Sequence, residues 1–224
     1  MKRLVLLFST FIIAVSAFAQ DATKFLGIPI DGYKSEMIRA LKSKGFEQHP
    51  YLENTLTGEF NGYNVNLSVV THNNKVYRIF LQDRYSVSET DIKIRFNNLC
   101  SQFEKNSNYM SLGEQTIPET EDISYEMMVN NKRYEAVFFQ QPEKVDTAAV
   151  QKILFDKIKS KYTEEQLANP TEDMQAEFVS MSIDIAYEIV SKKSVWFIID
   201  QDGSQYRILM YYDNKNNQAD GQDL

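Results

Sequence analysis

Short stretches of alternating apolar and polar residues restrict the fold of this 224-residue chain more than any other feature. Three such stretches lie between residues 54 and 82, separated by Asn61-Gly62 and Asn73-Asn74. A period of two is typical of strands with one buried face, and Asn and Gly tolerate the positive φ of tight hairpin turns. The pattern predicts three antiparallel strands. The inward-facing residues of the second and third strands are Val65, Leu67 and Val69, and Tyr77, Ile79 and Leu81.

Two later stretches show the same alternation and predict two further hairpins. The first covers residues 123–140 and is predicted to turn at Asn130-Asn131. The second covers residues 194–213 and is predicted to turn at Asp202-Gly203. In the first strand of the earlier hairpin, the residues predicted to share one face are Ile123, Tyr125, Met127 and Val129.

Apolar residues three or four positions apart predict a helix before each hairpin region. Asp31 is expected to cap the first helix and Gly45 to end it, while Ser88 and Asp146 are expected to cap the other two. The predicted buried stripes are Met37, Ile38 and Leu41; Ile92, Phe96, Leu99 and Phe103; and Val150, Ile153, Leu154 and Ile158.

Residues 172–190 fit two patterns at once. Val179, Met181 and Ile183 belong to a strict alternation that would suit a strand, whereas Met174, Phe178, Met181 and Ile185 recur at helical spacing. Thr171 followed by two acidic residues suits the start of a helix. We favour the helix and keep the strand as the alternative.

These elements predict an α+β fold in which helices pack on one side of antiparallel β-hairpins. Three turn-and-strand segments carry a tyrosine at the same offset, at Tyr77, Tyr134 and Tyr206. This similarity suggests three tandem units, at residues 24–87, 88–145 and 146–224, with an insertion at 163–190 in the third. Residues 20–224 contain no linker rich in Gly, Pro or Ser, so we treat them as one α+β domain.

The first nineteen residues resemble a bacterial signal peptide. Lys2 and Arg3 precede an apolar stretch of about a dozen residues, which is shorter than the roughly 20 residues of a membrane span. Ala17-Phe18-Ala19 fits the small-x-small cleavage pattern. We therefore expect export to the periplasm or the medium, with no membrane span after cleavage.

The charge of the chain excludes one class of partner. Loss of Lys2 and Arg3 with the leader would change the net charge from −7 to −9. An acidic surface repels phosphate backbones and lacks the counterion-release affinity of nucleic-acid-binding proteins. We expect no nucleic acid as a partner, and another envelope or secreted protein is the more reasonable candidate.

The chain has few of the residues that usually serve as nucleophiles or metal ligands. Cys100 is the only cysteine and is predicted to be buried beside Leu99 and Phe103. His49 and His72 stand in no zinc-binding spacing, so we predict no metal site, no cofactor and no catalytic residue. A hydrolase with paired carboxylates remains the alternative function, because a sequence cannot show how far apart its many acids lie.

The polar tail YYDNKNNQADGQDL is the segment that least resembles part of a core. Asn216, Gln218 and Asp220 partly repeat the alternating oxygen ligands of a calcium loop, although the Glu that closes such a loop is absent. These three residues are weak candidates for a binding site. A polar, partly frayed terminus is the simpler interpretation.

Two resemblances add to this interpretation. The segments FLGIPIDG…LKSKGF (25–46) and YYDN…DL (211–224) are similar to the two ends of a group of uncharacterised exported bacterial proteins. The arrangement of helices and hairpins also resembles β-lactamase-inhibitor-protein-like and SmpA-like modules, which bind proteins through one sheet face. The resemblance implies a non-enzymatic protein- or ligand-binding module of the bacterial envelope, whose partner meets a sheet face or the hairpin tips.

Overall fold

The computed structural model describes residues 22–141 and 147–219, and its contacts divide this part of the chain into two compact units. The sheet unit comprises residues 22–140 and 192–219. The helical unit comprises residue 141 and residues 147–191. The predicted signal peptide at residues 1–19, the predicted cap Asp146 and Asp220 lie outside the described residues. The arrangement in three tandem units stays a prediction.

The sheet unit contains ten strands and three helices within its described residues. The strands are β1 (Lys24–Phe25), β2 (Ile28–Pro29), β3 (Glu47–Gln48), β4 (Thr55–Phe60), β5 (Tyr63–His72), β6 (Lys75–Asp83), β7 (Tyr109–Met110), β8 (Glu135–Gln140), β9 (Ser194–Asp202) and β10 (Gln205–Asp213). The helices are α1 (Lys34–Ser43), α2 (Glu89–Lys105) and α3 (Ile123–Val129). A 3₁₀ turn at Lys215–Asn217 follows β10.

Eight strands form one antiparallel sheet in the order β3-β4-β5-β6-β10-β9-β8-β7, and β1 pairs with β2 in a separate hairpin. The α+β prediction with antiparallel hairpins is confirmed. β10 lies in the interior of the sheet, where it pairs with β6 on one side and with β9 on the other. Asp202 is opposite Gln205, so Gly203 and Ser204 form the turn, one residue later than predicted.

Helices α1 and α2 contribute to one core with the inner face of the sheet. The predicted strand residues Val65, Leu67 and Val69 are buried there, as are all four residues of the stripe predicted for α2. Ser88 accepts a hydrogen bond from the backbone N–H of Asp91, which confirms the predicted N-cap. The aromatic members of this core include Phe25, Phe46, Phe96, Phe103, Phe138 and Phe197.

The predicted alternation in β6 fails at Tyr77. The register between β5 and β6 shifts at Val70 and Thr71, so that Val70 pairs with Arg78 while Thr71 pairs with Val76. A bulge of this kind changes which residue points inward. Val76 is therefore fully buried at this end of β6, and Tyr77 is only half-buried.

Residues 123–129 form helix α3, so the strand predicted for them is wrong. Asp122 accepts a hydrogen bond from the N–H of Tyr125 at 2.8 Å and caps the helix. Ile123 is buried and Met127, one helical turn later, packs against the core. Over so short a stretch, the apolar residues fit the period of two of a strand as well as the 3.6-residue period of a helix. The N-cap hydrogen bond favours the helix. Asn131, at φ +53°, lies just after the helix instead of in a hairpin turn.

Asp31 does not cap α1 as predicted. The helix begins at Lys34 with Tyr33 in the N-cap position. The Asp31 carboxylate instead accepts hydrogen bonds from the N–H of Gly32 at 2.7 Å and from the Asn217 side chain at 2.8 Å. Gly45 has φ +96° and follows the helix, as predicted.

The helical unit contains α4 (Thr147–Lys161), α5 (Glu164–Ala168) and α6 (Glu172–Val190). The helix favoured for residues 172–190 is confirmed, and Thr171 accepts a hydrogen bond from the N–H of Met174. Ile153, predicted to be buried, is 45% exposed, because the buried stripe of α4 follows i, i+4 spacing. The core of this unit comprises Val150, Leu154, Ile158, Met174, Phe178 and Ile185.

None of the described helices is both long enough and apolar enough to cross a membrane.

Candidate functional site

The weak candidates in the C-terminal tail do not form a cation site within the described residues. Asn216 and Gln218 are exposed, and they lie in and after the 3₁₀ turn. Asp220 lies outside the described residues. In the described part of the chain, the structure contains no group of three or more His, Cys, Asp or Glu side chains that could hold a metal ion.

The first residues of the tail belong to the fold, which the sequence analysis missed. Asn214 is buried, and its side chain donates a hydrogen bond to the carbonyl oxygen of Ile30 at 2.8 Å. The Asn217 side chain donates to the carbonyl oxygen of Val76 at 2.8 Å and to Asp31. The Thr23 hydroxyl donates to the carbonyl oxygen of Asp213. The two segments on which the sequence resemblance rests therefore contact each other.

The two buried acids of the described chain are both held in bidentate ion pairs. Asp83 accepts from Arg95 at 2.6 and 2.7 Å, and Asp213 accepts from Arg78 at 2.5 and 2.8 Å. The indole N–H of Trp196 also donates to Asp213 at 2.9 Å. Both carboxylates therefore connect elements of the fold, since Asp83 joins β6 to α2 and Asp213 joins β10 to β6.

A further acid, Glu121, is partly buried and also has structural partners. Glu121 accepts hydrogen bonds from the Lys132 ammonium and from the Tyr134 hydroxyl at 2.6 Å. These hydrogen bonds lower the pKa of Glu121, Lys132 contributing first. Burial, followed by the contact with Glu121, raises the pKa of Tyr134. Glu121 is therefore held ionised and Tyr134 neutral, which suits a structural contact.

Three aromatic side chains form a row across the outer face of the sheet. Tyr211 stacks on Trp196 with ring centroids 4.0 Å apart and on Phe80 with centroids 5.0 Å apart. The Arg78 guanidinium lies 5.0 Å from the Tyr211 ring centroid. The Tyr211 ring therefore has an aromatic neighbour on each of its two faces. The row stabilises pairing between β6, β10 and β9.

Cys100 is buried in α2, as predicted, and its thiol lies 3.7 Å from the carbonyl oxygen of Gln115. Burial, with a smaller contribution from Glu104, raises the pKa of the thiol to about 12. A thiol with such a pKa is protonated at neutral pH and is a poor nucleophile.

We expect iodoacetamide to alkylate Cys100 in the folded protein about a thousandfold more slowly than in the unfolded chain at about pH 8, because the thiolate fraction is that much smaller. Mass spectrometry of samples quenched over time measures both rates, with the protein in guanidinium chloride as the reference. Equal rates in the two states would contradict the assignment of Cys100 as a buried, unreactive thiol.

The candidate binding site is a pocket of about 370 Å³ in the sheet unit. It lies where the β4–β5 hairpin tip, the second half of α2 and the β1–β2 turn approach one another. Its apolar lining comes from Leu26, Phe60, Leu99, Phe103, Tyr109 and Tyr212. Its polar lining comes from Glu59, Asn61, Gln102 and Asn106, which are all exposed.

A hydrogen-bonded group of neutral side chains lies beneath the pocket. Gln140 donates to the Tyr109 hydroxyl at 2.9 Å and to the carbonyl oxygen of Lys24. Burial raises the pKa of both Tyr109 and Tyr212, so both phenols are neutral at physiological pH. The apolar part of the pocket therefore carries no charge, and Glu59 is the only ionisable carboxylate among the ten lining residues.

Leu26 stands at the edge of this pocket in an unusual backbone conformation. It has φ +50° and, with Gly27 at φ +79°, forms the two-residue turn between β1 and β2. Turns with positive φ at both positions strongly prefer Asn, Asp or Gly. Every other non-glycine residue with positive φ in the described chain is an Asn. The Leu26 side chain is 41% exposed and lines the pocket.

Comparisons of this chain with protein-family models, with curated proteins and with solved structures found no match.

Proposed function

We propose that this protein is a non-enzymatic, exported binding protein of the bacterial envelope. Its pocket would take a small, mainly apolar molecule whose polar end is neutral or positively charged. The pattern of residues 1–19 supports export, and the ion-paired state of the buried acids supports a function without catalysis. The pocket of about 370 Å³ in the sheet unit is the proposed binding site.

The dimensions and lining of the pocket support a small-molecule ligand. A volume of about 370 Å³ lies at the lower end of the range of about 300–1,000 Å³ that is usual for ligand pockets. Six of the ten lining residues are apolar or aromatic, and polar side chains lie at the rim. This arrangement allows an apolar body to be buried while one polar end stays near water.

The charge of the lining favours a cation over an anion. Glu59 provides a negative charge at the rim, and none of the lining residues is Lys, Arg or His. The rings of Phe60, Phe103 and Tyr109 line the same space, and aromatic faces attract ammonium groups. A carboxylate ligand would find no countercharge among these residues.

The conformation of Leu26 is the single observation that carries the proposal. A non-glycine residue in the left-handed region costs on the order of 1–3 kcal/mol, and such residues cluster at functional sites. Asn at this position would suit the turn better than Leu does. The side chain that causes this cost is the one that lines the pocket, so we assign it a role in ligand contact.

Replacing Leu26 by Asn is expected to raise the free energy of unfolding by about 1 kcal/mol, because Asn tolerates positive φ. The same change is expected to weaken ligand binding, because it removes an apolar wall. Urea titration followed by Trp196 fluorescence measures the stability of the sheet unit. The matched control is Asn73→Leu, which places Leu at φ +46° in a turn outside the pocket lining. It should lower stability and leave binding unchanged.

Binding is tested with three probes that share one phenylbutyl body: 4-phenylbutylammonium, 4-phenylbutanol and 5-phenylpentanoate. Saturation-transfer NMR and calorimetry should rank their affinities in that order, and Glu59→Gln should remove the advantage of the ammonium over the alcohol. The proposal fails if none of the probes binds, or if Leu26→Asn and Asn73→Leu change binding equally.

A further inference from the structure

One flank of helix α2 is covered by a segment that forms neither helix nor strand. This segment, residues 111–122, connects β7 to α3. Lys93, Asn97 and Cys100 follow one another at i, i+4 and i+7 of α2, so they lie on the same side of the helix. All three contact the 111–122 segment.

These contacts proceed in order along the helix and the segment, in opposite directions. Lys93 donates to two carbonyl oxygens near the end of the segment, at 2.8 and 2.7 Å. The Asn97 amide donates to the carbonyl oxygen of Ile117 and accepts from its N–H, both at 2.8 Å. The Cys100 thiol lies 3.7 Å from the carbonyl oxygen of Gln115. The segment is therefore antiparallel to α2, and side chains of the helix hold its backbone.

The Gln115 side chain fastens the segment to strand β8. Its amide nitrogen donates to the carbonyl oxygen of Val137 at 2.8 Å, and its amide oxygen accepts from the Val137 N–H. A side-chain amide has the donor and the acceptor of a peptide group, so Gln115 makes the two hydrogen bonds that a residue of a neighbouring strand would make. β7 pairs with Phe139 and Gln140 of the same strand. The segment thus spans the gap between α2 and the edge of β8.

This attachment is weaker than that of a paired strand. The hydrogen bonds that join the segment to α2 and to Val137 run through side chains instead of a backbone ladder. Ile117 is the one buried residue among residues 111–122. Parts of a protein with few buried apolar contacts open at a smaller free energy than the whole domain unfolds. Opening at this place would uncover the Cys100 thiol and the edge of β8.

We propose that the 111–122 segment is a strap that opens and closes while α2 and the sheet stay folded. In the closed form the strap covers Cys100 and occupies the edge of β8 through Gln115. In the open form the thiol meets solvent, and the N–H and C=O of Val137 have lost their partner. The inference does not depend on the ligand proposed for the pocket.

Alkylation of Cys100 by iodoacetamide measures the fraction of the open form, because the closed form keeps the thiol buried and protonated. Gln115→Met retains the length of the side chain and removes both hydrogen bonds to Val137. It should raise the alkylation rate at least about fivefold, while the midpoint of urea unfolding followed by Trp196 fluorescence changes little. The matched control is Gln205→Met, the same change at an exposed residue of β10, which should alter neither quantity.

A substitution within the strap should act in the opposite direction. Gly113 lies outside the left-handed region, and a Cβ added to it would meet no atom within 4 Å. Gly113→Ala should therefore lower the alkylation rate of Cys100 about two- to fivefold, because Ala restricts the backbone of the open strap. Circular dichroism checks that each variant is folded.

Urea distinguishes opening of the strap from global unfolding. Below the unfolding transition, the alkylation rate should rise much less steeply with urea than the unfolding equilibrium does, because opening exposes little surface. Hydrogen exchange of the Val137 N–H should be faster in Gln115→Met than in the parent protein. The proposal is overturned if alkylation follows the urea dependence of global unfolding, if Gln115→Met leaves the rate unchanged, or if Gly113→Ala raises it.

Discussion

Replacing Arg95 by Ala is expected to lower the free energy of unfolding of the sheet unit by about 3–5 kcal/mol, because Asp83 would remain buried without its countercharge. The Arg95 side chain is 4% exposed and donates two hydrogen bonds to Asp83, at 2.6 and 2.7 Å. The N–H of Ile208 also approaches the Asp83 carboxylate, at 3.3 Å. The ion pair therefore links α2 to β6 and β10.

Urea denaturation followed by the fluorescence of Trp196, the only tryptophan, measures this loss for the sheet unit alone. The matched control is Arg133→Ala, because the Arg133 side chain is 69% exposed and its ion pair with Glu135 spans 3.4 Å. An exposed pair of this kind contributes about 0–1 kcal/mol.

A second comparison separates the pair from the packing around it. Arg95→Met combined with Asp83→Leu removes both charges and retains most of the volume. We expect this double variant to be more stable than Arg95→Ala, since no charge is left buried alone. If Arg95→Ala proved no more harmful than Arg133→Ala, the ion pair would not be the contact that fixes α2 on the sheet.

Replacing Phe197 by Ala is expected to lower the free energy of unfolding by about 3–5 kcal/mol through loss of apolar contact and formation of a cavity. Phe197 is completely buried in β9. Its ring centroid lies 5.0 Å from that of Phe96, 6.0 Å from that of Phe103 and 6.1 Å from that of Phe138. It therefore joins α2 to two neighbouring strands.

The control for this substitution is Tyr51→Ala, which removes an aromatic ring that is 88% exposed. Surface changes of this type are usually within about 0.5 kcal/mol of the parent protein. The same urea titrations measure both variants. A loss below about 1 kcal/mol for Phe197→Ala would mean that the aromatic cluster is not the centre of the core.

The hairpins at residues 55–83 and 194–213 could be predicted because their signals are local. Asn61, Gly62 and Asn73 mark turns, and their positive φ is observed. Helix α3 could not be distinguished from a strand by its sequence, because seven residues are too few to separate a helical period from a period of two. The N-cap hydrogen bond of Asp122 is what favours the helix. The bulge at Tyr77 depends on pairing with β5, which no single segment encodes.

The ion pair and the pocket differ in how far the sequence could have revealed them. Asp83 stands at an inward position of β6, and Arg95 interrupts the apolar side of α2, so both residues were visible as polar exceptions. The pocket is assembled from four separate parts of the chain, at residues 26, 59–61, 99–109 and 212. The positive φ of Leu26 could not be predicted from the sequence, because turns of this type usually have Asn, Asp or Gly at that position.

The position of β10 in the sheet imposes an order on folding. This strand is the last of the described chain, yet it lies between β6 and β9, so β6 has no second neighbour until residues 205–213 are available. Contacts between residues so distant in sequence form late and slow the reaction. A chain synthesised from its N-terminus therefore leaves this edge of β6 unpaired until residues 205–213 have been made, and only then can the eight-stranded sheet be completed.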